Sequence, residues 1–263
     1  LNGAPYLCAA KVPDLRITLA TIENFMREQA IIDVLIPAWN EEKALPFVLA
    51  DIPKDLVRYI IVCDNGATDQ TAEAARKGGA IVVSQPEHGY GNACMAGIRY
   101  LQALPSSEQP SVVVFLDGDY SDYPEEMTRI VSPVLRGEKD MVIGSRRLGG
   151  MQPGAMTLPQ QFGNWLAPAM IQWIWGYRFS DLGPFRAIRW EKLLAMNMQD
   201  RNFGWTVEMQ VKAAKMKMAC GEVPVRYRKR VAGKSKVSGT VKGTILAGWK
   251  IIATILKSIG REN

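Results

Sequence analysis

The chain has 263 residues, 48% hydrophobic and 22% charged, which supplies one large core and excludes an intrinsically disordered chain. Its four cysteines (Cys8, Cys63, Cys94 and Cys220) stand far apart and His88 is the single histidine, so no zinc site, dithiol pair or histidine-rich metal centre is expected. The net charge of +6 is uneven: Lys212 to Asn263 holds 13 Lys and Arg against two Glu, leaving the rest at −5; a basic end on an acidic body points to an anionic partner.

Residues 1–30 read as a mixed lead-in with a short helix over Thr21–Glu28. Ile31–Ile36 is a β-branched run predicted as a buried strand ended by Pro37, and Glu41–Ala50 follows as a helix. Tyr59–Cys63 is a second strand, with Cys63 a buried small hydrophobe. A helix starts near Thr68-Asp69 and stops at Gly78-Gly79. Ala80–Ser84 is a strand, Gly91–Leu101 a helix, Ser111–Leu116 a strand, Pro124–Leu135 a helix and Asp140–Ile143 a fifth strand. Gly149–Gly163 reads as a mobile loop, and Trp165–Trp175 as an aromatic helix of the core or, as the alternative, one that contacts a membrane or the acceptor. Helices over Glu191–Met198 and Thr206–Met218, a strand over Glu222–Tyr227, a basic loop over Arg228–Ser238 and a helix over Thr240–Ile259 complete the chain.

Strands alternating with helices predict an α/β fold with a mostly parallel central sheet flanked by helices and right-handed crossovers. Ligands of such sheets bind at the carboxyl ends of the strands. Polar residues follow the strands here: Asn40-Glu41, Asp64-Asn65, Asp117-Gly118-Asp119 and Ser145-Arg146.

Asp117 and Asp119, one residue apart after an apolar strand, suit a hard divalent cation, with Ser121 or Asp122 near enough to complete its shell. Such a cation bridges a diphosphate and neutralises a leaving group; a plain acidic turn is the alternative. Pro37-Ala38-Trp39-Asn40-Glu41, with Asp64-Asn65, reads as a base and ribose pocket or as a capped loop. His88-Gly89-Tyr90-Gly91-Asn92-Ala93 ahead of a helix allows close backbone approach to an anion.

In this order the motifs resemble the family 2 glycosyltransferases of GT-A fold, nearest the dolichyl-phosphate mannosyltransferase and polyprenyl-phosphate glycosyltransferase branch. The resemblance runs over Ile36–Glu41, Asp64–Asp69, Gly89–Ala93, Asp117–Pro124, Gly144–Arg146, Asp181–Arg186, Trp205–Gln210 and Arg230–Lys236. It departs at Trp39, where Tyr is usual, at Asn65 and Ala67, where the branch has Asp and Ser, and at Pro184.

The resemblance implies a Rossmann-like GT-A domain over residues 31–236, with a nucleotide-sugar half (31–146) and an acceptor half (147–236), followed by an amphipathic helix in 237–263. It implies an inverting transfer from a nucleotide-diphosphate sugar, GDP- or UDP-linked, with Mg2+ or Mn2+ held by Asp117, Asp119 and Ser121. Pro37, Ala38, Trp39, Asn40, Glu41, Asp64, Asn65, Gly91, Asp117, Gly118 and Asp119 would bind the donor. Arg146, Arg230, Lys234, Ser235 and Lys236 would hold a polyprenyl or dolichyl phosphate, which needs no strong base because it is already ionised. A hydroxyl acceptor would call on Glu208 or Asp181. Arg186 reads as the partner of Asp181 or as a substrate contact.

No apolar run of about 18 residues free of charge occurs, and the first residues lack a secretion pattern, so a cytoplasmic protein without a membrane-spanning helix is expected. Apolar residues of 240–259 recur at helical spacing, so that helix packs on the domain or a second copy, or lies on an anionic membrane at its inner face. The alternatives are a soluble transferase with a small or carbohydrate acceptor, and a non-enzymatic anion or nucleic-acid binder. The carboxylate pair and acidic body weigh against nucleic acid.

Overall fold

A computed structural model describes residues 30–232, 252–256 and 258–259. The expected lead-in helix, Lys234, Ser235, Lys236 and residues 240–251 of the last helix lie outside them.

One seven-stranded sheet organises the chain in the order β3-β2-β1-β4-β6-β5-β7. Its strands are β1 (Ile32–Ala38), β2 (Tyr59–Asp64), β3 (Ile81–Ser84), β4 (Val112–Phe115), β5 (Met141–Ser145), β6 (Arg186–Arg189) and β7 (Cys220–Pro224). Between them run α1 (Leu45–Asp51), α2 (Thr71–Lys77), α3 (Tyr90–Gln102), α4 (Met127–Leu135), α5 (Arg146–Gly149), α6 (Leu158–Trp175), α7 (Trp190–Met196) and α8 (Trp205–Lys215). The mostly parallel sheet is as expected, apart from β6, which pairs antiparallel with both β4 and β5.

The sheet is covered on both faces. Leu35, Val113 and Ile143 face α3, α6, α7 and α8, whereas Val34, Ile36, Val114 and Val142 face α1, α2 and α4. Burial on both sides is why the central strands are continuous apolar runs and could be read from sequence. Strand β6 was missed: Arg-Ala-Ile-Arg is four residues long with a cation at each end, which imitates a loop.

Two boundaries were also misjudged. Pro37 does not end β1; it pairs with Cys63 of β2, and the β4 register stops at Leu35 opposite Phe115, so its missing N–H faces no sheet partner. The loop expected up to Gly163 ends at Thr157, whose N–H donates to Gln160 Oε1 and opens α6 at Leu158. Helix α6 stops at Gly176, whose φ of 70° is the left-handed conformation that glycine adopts freely.

Helix α6 is not the core helix expected. Ala167, Pro168 and Ile171 are buried, but Leu158, Phe162, Trp165 and Trp173 are exposed, Trp173 to 87%. Of the last helix, Ile255 is buried in the main core while Leu256 and Ile259 are exposed. Among the described residues no helix is long and apolar enough to cross a membrane.

Candidate functional site

The strand order reverses between β1 and β4, and the loops leaving β1, β2 and β4 meet there, where a doubly wound sheet opens a crevice. A cleft of about 360 Å³ lies at that point. Pro37, Ala38, Trp39, Glu41, Asn65, Asp117, Gly118, Asp119 and Arg230 line it. So do His88, Gly89, Tyr90, Ala93, Asn202 and Phe203, which no sequence motif had assigned to a binding role beyond an anion-accepting loop.

Short polar side chains stitch the loops together. Asn40, at φ 54°, accepts from Thr68 N–H at 2.8 Å and does not line the cleft. Glu41 N–H donates to Thr71 Oγ1 at 2.8 Å, and Glu42 accepts from Gln70 N–H. Asp64 Oδ1 accepts from Ala67 N–H at 2.9 Å, closing its own turn outside the cleft. Asn65 borders the cleft, but its amide donates to Gln85 O and Glu87 O and its carbonyl accepts from Gly89 N–H. The base-reading role expected of Asp64 and Asn65 is therefore not what their side chains do here. Trp39 and His88 pack with ring centroids 4.9 Å apart on the cleft wall.

The loop carrying His88 is pressed against residues 200–202. A Cβ at Gly89 would collide with Arg201 O, and one at Gly91 with Asp200 O. Gly91 is thus required for packing and does not line the cleft, and Asn92 N–H donates to Arg201 O across the same seam.

Asp117 and Asp119 sit at the cleft floor. Asp117 Oδ1 accepts from the Tyr90 hydroxyl at 2.9 Å. Burial, and then the charge of Asp119, push its carboxyl up to about 7. Burial also holds the Tyr90 hydroxyl well above its usual range, so it keeps its proton and donates. Asp119 Oδ1 accepts from Ser121 N–H, and Asp119 Oδ2 pairs with Arg230 at 2.5 Å. The other Arg230 nitrogen meets Glu41 Oε1 at 3.1 Å. A cationic group thus already faces Asp119 and Glu41. Ser121 is buried behind Asp119 and outside the cleft, so its expected place among metal ligands is not supported. Asp122 is buried with neither carboxylate oxygen hydrogen-bonded; burial, then the charge of Asp117, raises its pKa well above the usual range.

Of the residues expected to handle the acceptor, Arg146, Asp181 and Glu208 are sealed, whereas Arg230 lines the cleft. Arg146 Nε and Nη2 hold both oxygens of Asp181 at 2.9 and 2.6 Å, and Arg146 N–H donates to the same carboxylate. Burial works against this charge pair, but the mutual attraction outweighs it: Arg146 stands above its ordinary pKa and Asp181 below. The Arg146 guanidinium also lies over the Tyr227 ring, at 4.9 Å. Neither Arg146 nor Asp181 lines the cleft. Arg186 is not the partner of Asp181; it donates to the carbonyls of Leu182, Gly183 and Thr206, and burial lowers its pKa to about 10. Glu208 accepts from Gln199 N–H, Asp200 N–H and Lys212 Nζ. It anchors the segment that reaches Asn202 and Phe203 and is not free to act as a base.

The model of the family described as "Glycosyl transferase family 2" matches residues 33–205. An uncharacterised glycosyltransferase of Mycobacterium bovis is 34% identical over 227 residues, 84% of this chain and 98% of the relative. A dolichyl-phosphate hexose transferase of Haloferax volcanii is 32% identical over 85% of this chain and 93% of the relative. An undecaprenyl-phosphate mannosyltransferase of Micrococcus luteus is 27% identical over 80% and 88%. Glucosyl-3-phosphoglycerate synthase of Mycobacterium tuberculosis, solved with Mn2+, uridine diphosphate and glucosyl-3-phosphoglycerate, superposes with a TM-score of 0.70 at 23% identity, over 94% of this chain and 85% of that one. The fold is the one these structures share.

Proposed function

The chain belongs to glycosyl transferase family 2, and from that premise we propose that it moves a sugar, with inversion, from a GDP- or UDP-sugar to a polyprenyl or dolichyl phosphate with the help of Mg2+ or Mn2+. One observation carries the acceptor assignment. Asp181 and Glu208, the two carboxylates nominated to deprotonate a hydroxyl, are both buried and engaged in hydrogen bonds elsewhere. That favours an acceptor that arrives ionised, as a phosphate does. The two relatives named for lipid-phosphate acceptors agree with this reading.

The residues present fit a divalent cation. Asp119 is a buried and Asp117 a half-buried carboxylate opening on one cleft, and Arg230 stands against Asp119 as a positive stand-in. Among the described residues no cluster of three or more His, Cys, Asp or Glu forms a complete cage. A cation that shares its shell between one or two carboxylates and substrate phosphates matches that arrangement. When bound, it would supply charge neutralisation to the departing nucleoside diphosphate.

The chain's own groups do the rest. Trp39, Ala38 and the backbone of the β1 loop border the base side of the cleft. Arg230, freed from Asp119, is positioned for the diphosphate or the incoming phosphate. Phe203 and Asn202 form the wall of the cleft beside Tyr90. Lys234, Ser235 and Lys236 retain the phosphate-holding role implied for them. A membrane-surface location is supported by α6, whose exposed Leu158, Phe162, Trp165 and Trp173 form an apolar face with no charged residue in the helix. Arg147 and Arg178 flank it, and no Asp or Glu occurs between Asp140 and Asp181. An aromatic, weakly basic face suits the headgroup region of an anionic bilayer.

The test is transfer of labelled sugar from UDP- and GDP-sugars to a polyprenyl phosphate in detergent, with Mn2+ and with chelator. Metal-dependent transfer from one donor is expected, and Asp119→Asn should lower it by at least about 100-fold. Transfer that proceeds only to a water-soluble acceptor would refute the lipid assignment. Asp119→Asn at wild-type rate would refute the metal role.

A further inference from the structure

Tyr90 and Asn65 both line the cleft, and their hydrogen bonds lead to one of its carboxylates. We propose that they form a positioning relay for Asp117: Asn65 locks the backbone of residues 85–89, and that locked loop delivers the Tyr90 hydroxyl to the Asp117 carboxylate. The inference rests on reading Asp117 and Asp119 as the cation site.

The geometry runs in one direction. Asn65 extends from the end of β2 and is 5% exposed. Its Nδ2 donates to Glu87 O at 2.7 Å and to Gln85 O at 3.1 Å, while its Oδ1 accepts from Gly89 N–H at 2.7 Å. Three bonds from one amide therefore fix both sides of the turn that precedes α3. Only an amide makes this set: it donates and accepts at once, whereas a carboxylate would set its oxygens against the two carbonyls. The Asn that departs from the family's Asp at this position is thus matched to the loop it holds.

The clamped loop has no slack. Gly89, at φ 140°, sits against Arg201 O and Asn202 Oδ1, where a side chain has no room. Asn92 pins the far side, donating to His88 O and, through its backbone, to Arg201 O. Tyr90, next after Gly89, opens α3 and its hydroxyl reaches Asp117 Oδ1 at 2.9 Å. One hydrogen bond, to Oδ1, orients the carboxylate plane. Such outer partners set ligand orientation, and losing one typically costs about 10- to 100-fold in metal affinity. Neither Asn65 nor Tyr90 touches the reacting atoms in this account; both act through Asp117.

The experiment is Mn2+ binding by electron paramagnetic resonance, on the full chain with Mn2+ alone and again at saturating UDP or GDP. Tyr90→Phe keeps the ring and removes only the hydroxyl; its Kd for Mn2+ should rise about 10-fold. Asn65→Asp should weaken Mn2+ at least as much, and the double variant no more than Asn65→Asp alone, because both break one relay. Melting temperatures of the variants check the fold, and the Tyr90→Phe arm stands alone if Asn65→Asp is unstable. Unchanged Mn2+ affinity in Tyr90→Phe, or additive losses in the double variant, would overturn the relay. Tighter Mn2+ binding by Asn65→Asp would make the position a ligand, which also overturns it. A wild-type chain that binds no Mn2+ under either condition refutes the cation site and the relay together, whereas the other outcomes leave the cation site standing.

Discussion

Glu41, Asp117 and Asp119, from the first half of the chain, line an open cleft, while Asp181 and Glu208, from the second half, are sealed against Arg146 and against backbone N–H groups. The outer surfaces differ in the reverse sense: α1 and α2 frame a charged groove with Glu42, Lys43, Glu73 and Lys77, whereas α6 shows tryptophan and phenylalanine. In the proposed reading, Glu41 and Asp119 exchange their arginine for a bound cation. Sealed ones hold the scaffold in shape. Charge in a sequence therefore says little about role until its partners are known.

The sharpest way to break this contrast is Asp181→Ala. It leaves Arg146 charged, buried and unpaired, and should cost about 3–5 kcal/mol of folding stability, read from urea unfolding midpoints. A catalytic loss with unchanged stability would move Asp181 from the scaffold to the chemistry.

Glu208→Gln makes the same comparison on a smaller scale. Loss of charge-assisted acceptance from Gln199, Asp200 and Lys212 should cost about 1–3 kcal/mol, with kcat within about 10-fold of wild type. Removal of a true general base costs about 100-fold or more. A bell-shaped pH–rate profile that loses its acid limb in Glu208→Gln would restore it as a base.

The cleft carboxylates predict a pH dependence that the sealed pair does not. Asp117, held up at about 7 by burial and then by Asp119, is protonated below that pH and a poor ligand there. Mn2+ affinity should rise as pH passes upward through 7 and fall by about tenfold for each unit below it. The sign for folding is the opposite: the folded chain binds this proton more tightly than the unfolded one, so metal-free protein loses stability as pH rises from about 4 to 7. Titration calorimetry at pH 6, 7 and 8 checks the first, and thermal melts without metal check the second.

The smallest effect concerns the surface. Phe162→Ser with Trp173→Ser should lower co-sedimentation with vesicles of 70% phosphatidylcholine and 30% phosphatidylglycerol by several-fold, with melting temperature unchanged. Equal partition would remove α6 from the membrane side. Dimers in light scattering that the same substitutions dissolve would give the face to a second copy.

Within the fold, β1, β2 and β4 were legible because a strand buried on both faces is mostly apolar; the exception in β1, Asp33, is buried against Arg58. The Asp117-Gly118-Asp119 turn was legible because it follows such a strand directly. Arg146 and Asp181 were both noticed, but they are 35 residues apart and nothing in either neighbourhood says they face each other. His88, Tyr90, Asn202 and Phe203 entered the cleft through packing of two loops against each other, which leaves no periodic signal. Helix α6 was placed in the core because tryptophan and phenylalanine usually are buried; only the docking angle of the helix decides which of its faces meets the sheet.

By itself the sequence determined the α/β class, the order of most strands, the motif series of the family and the carboxylate pair at a strand end. These are local properties, written in periodicity and in short spacings. Only the tertiary structure decided which charges are sealed and which line the cleft, that Asn65 holds a loop instead of facing a ligand, and that Tyr90 reaches Asp117. Those outcomes depend on which donors and acceptors come within about 3 Å of one another, and that distance is set by how the strands pair and the loops pack.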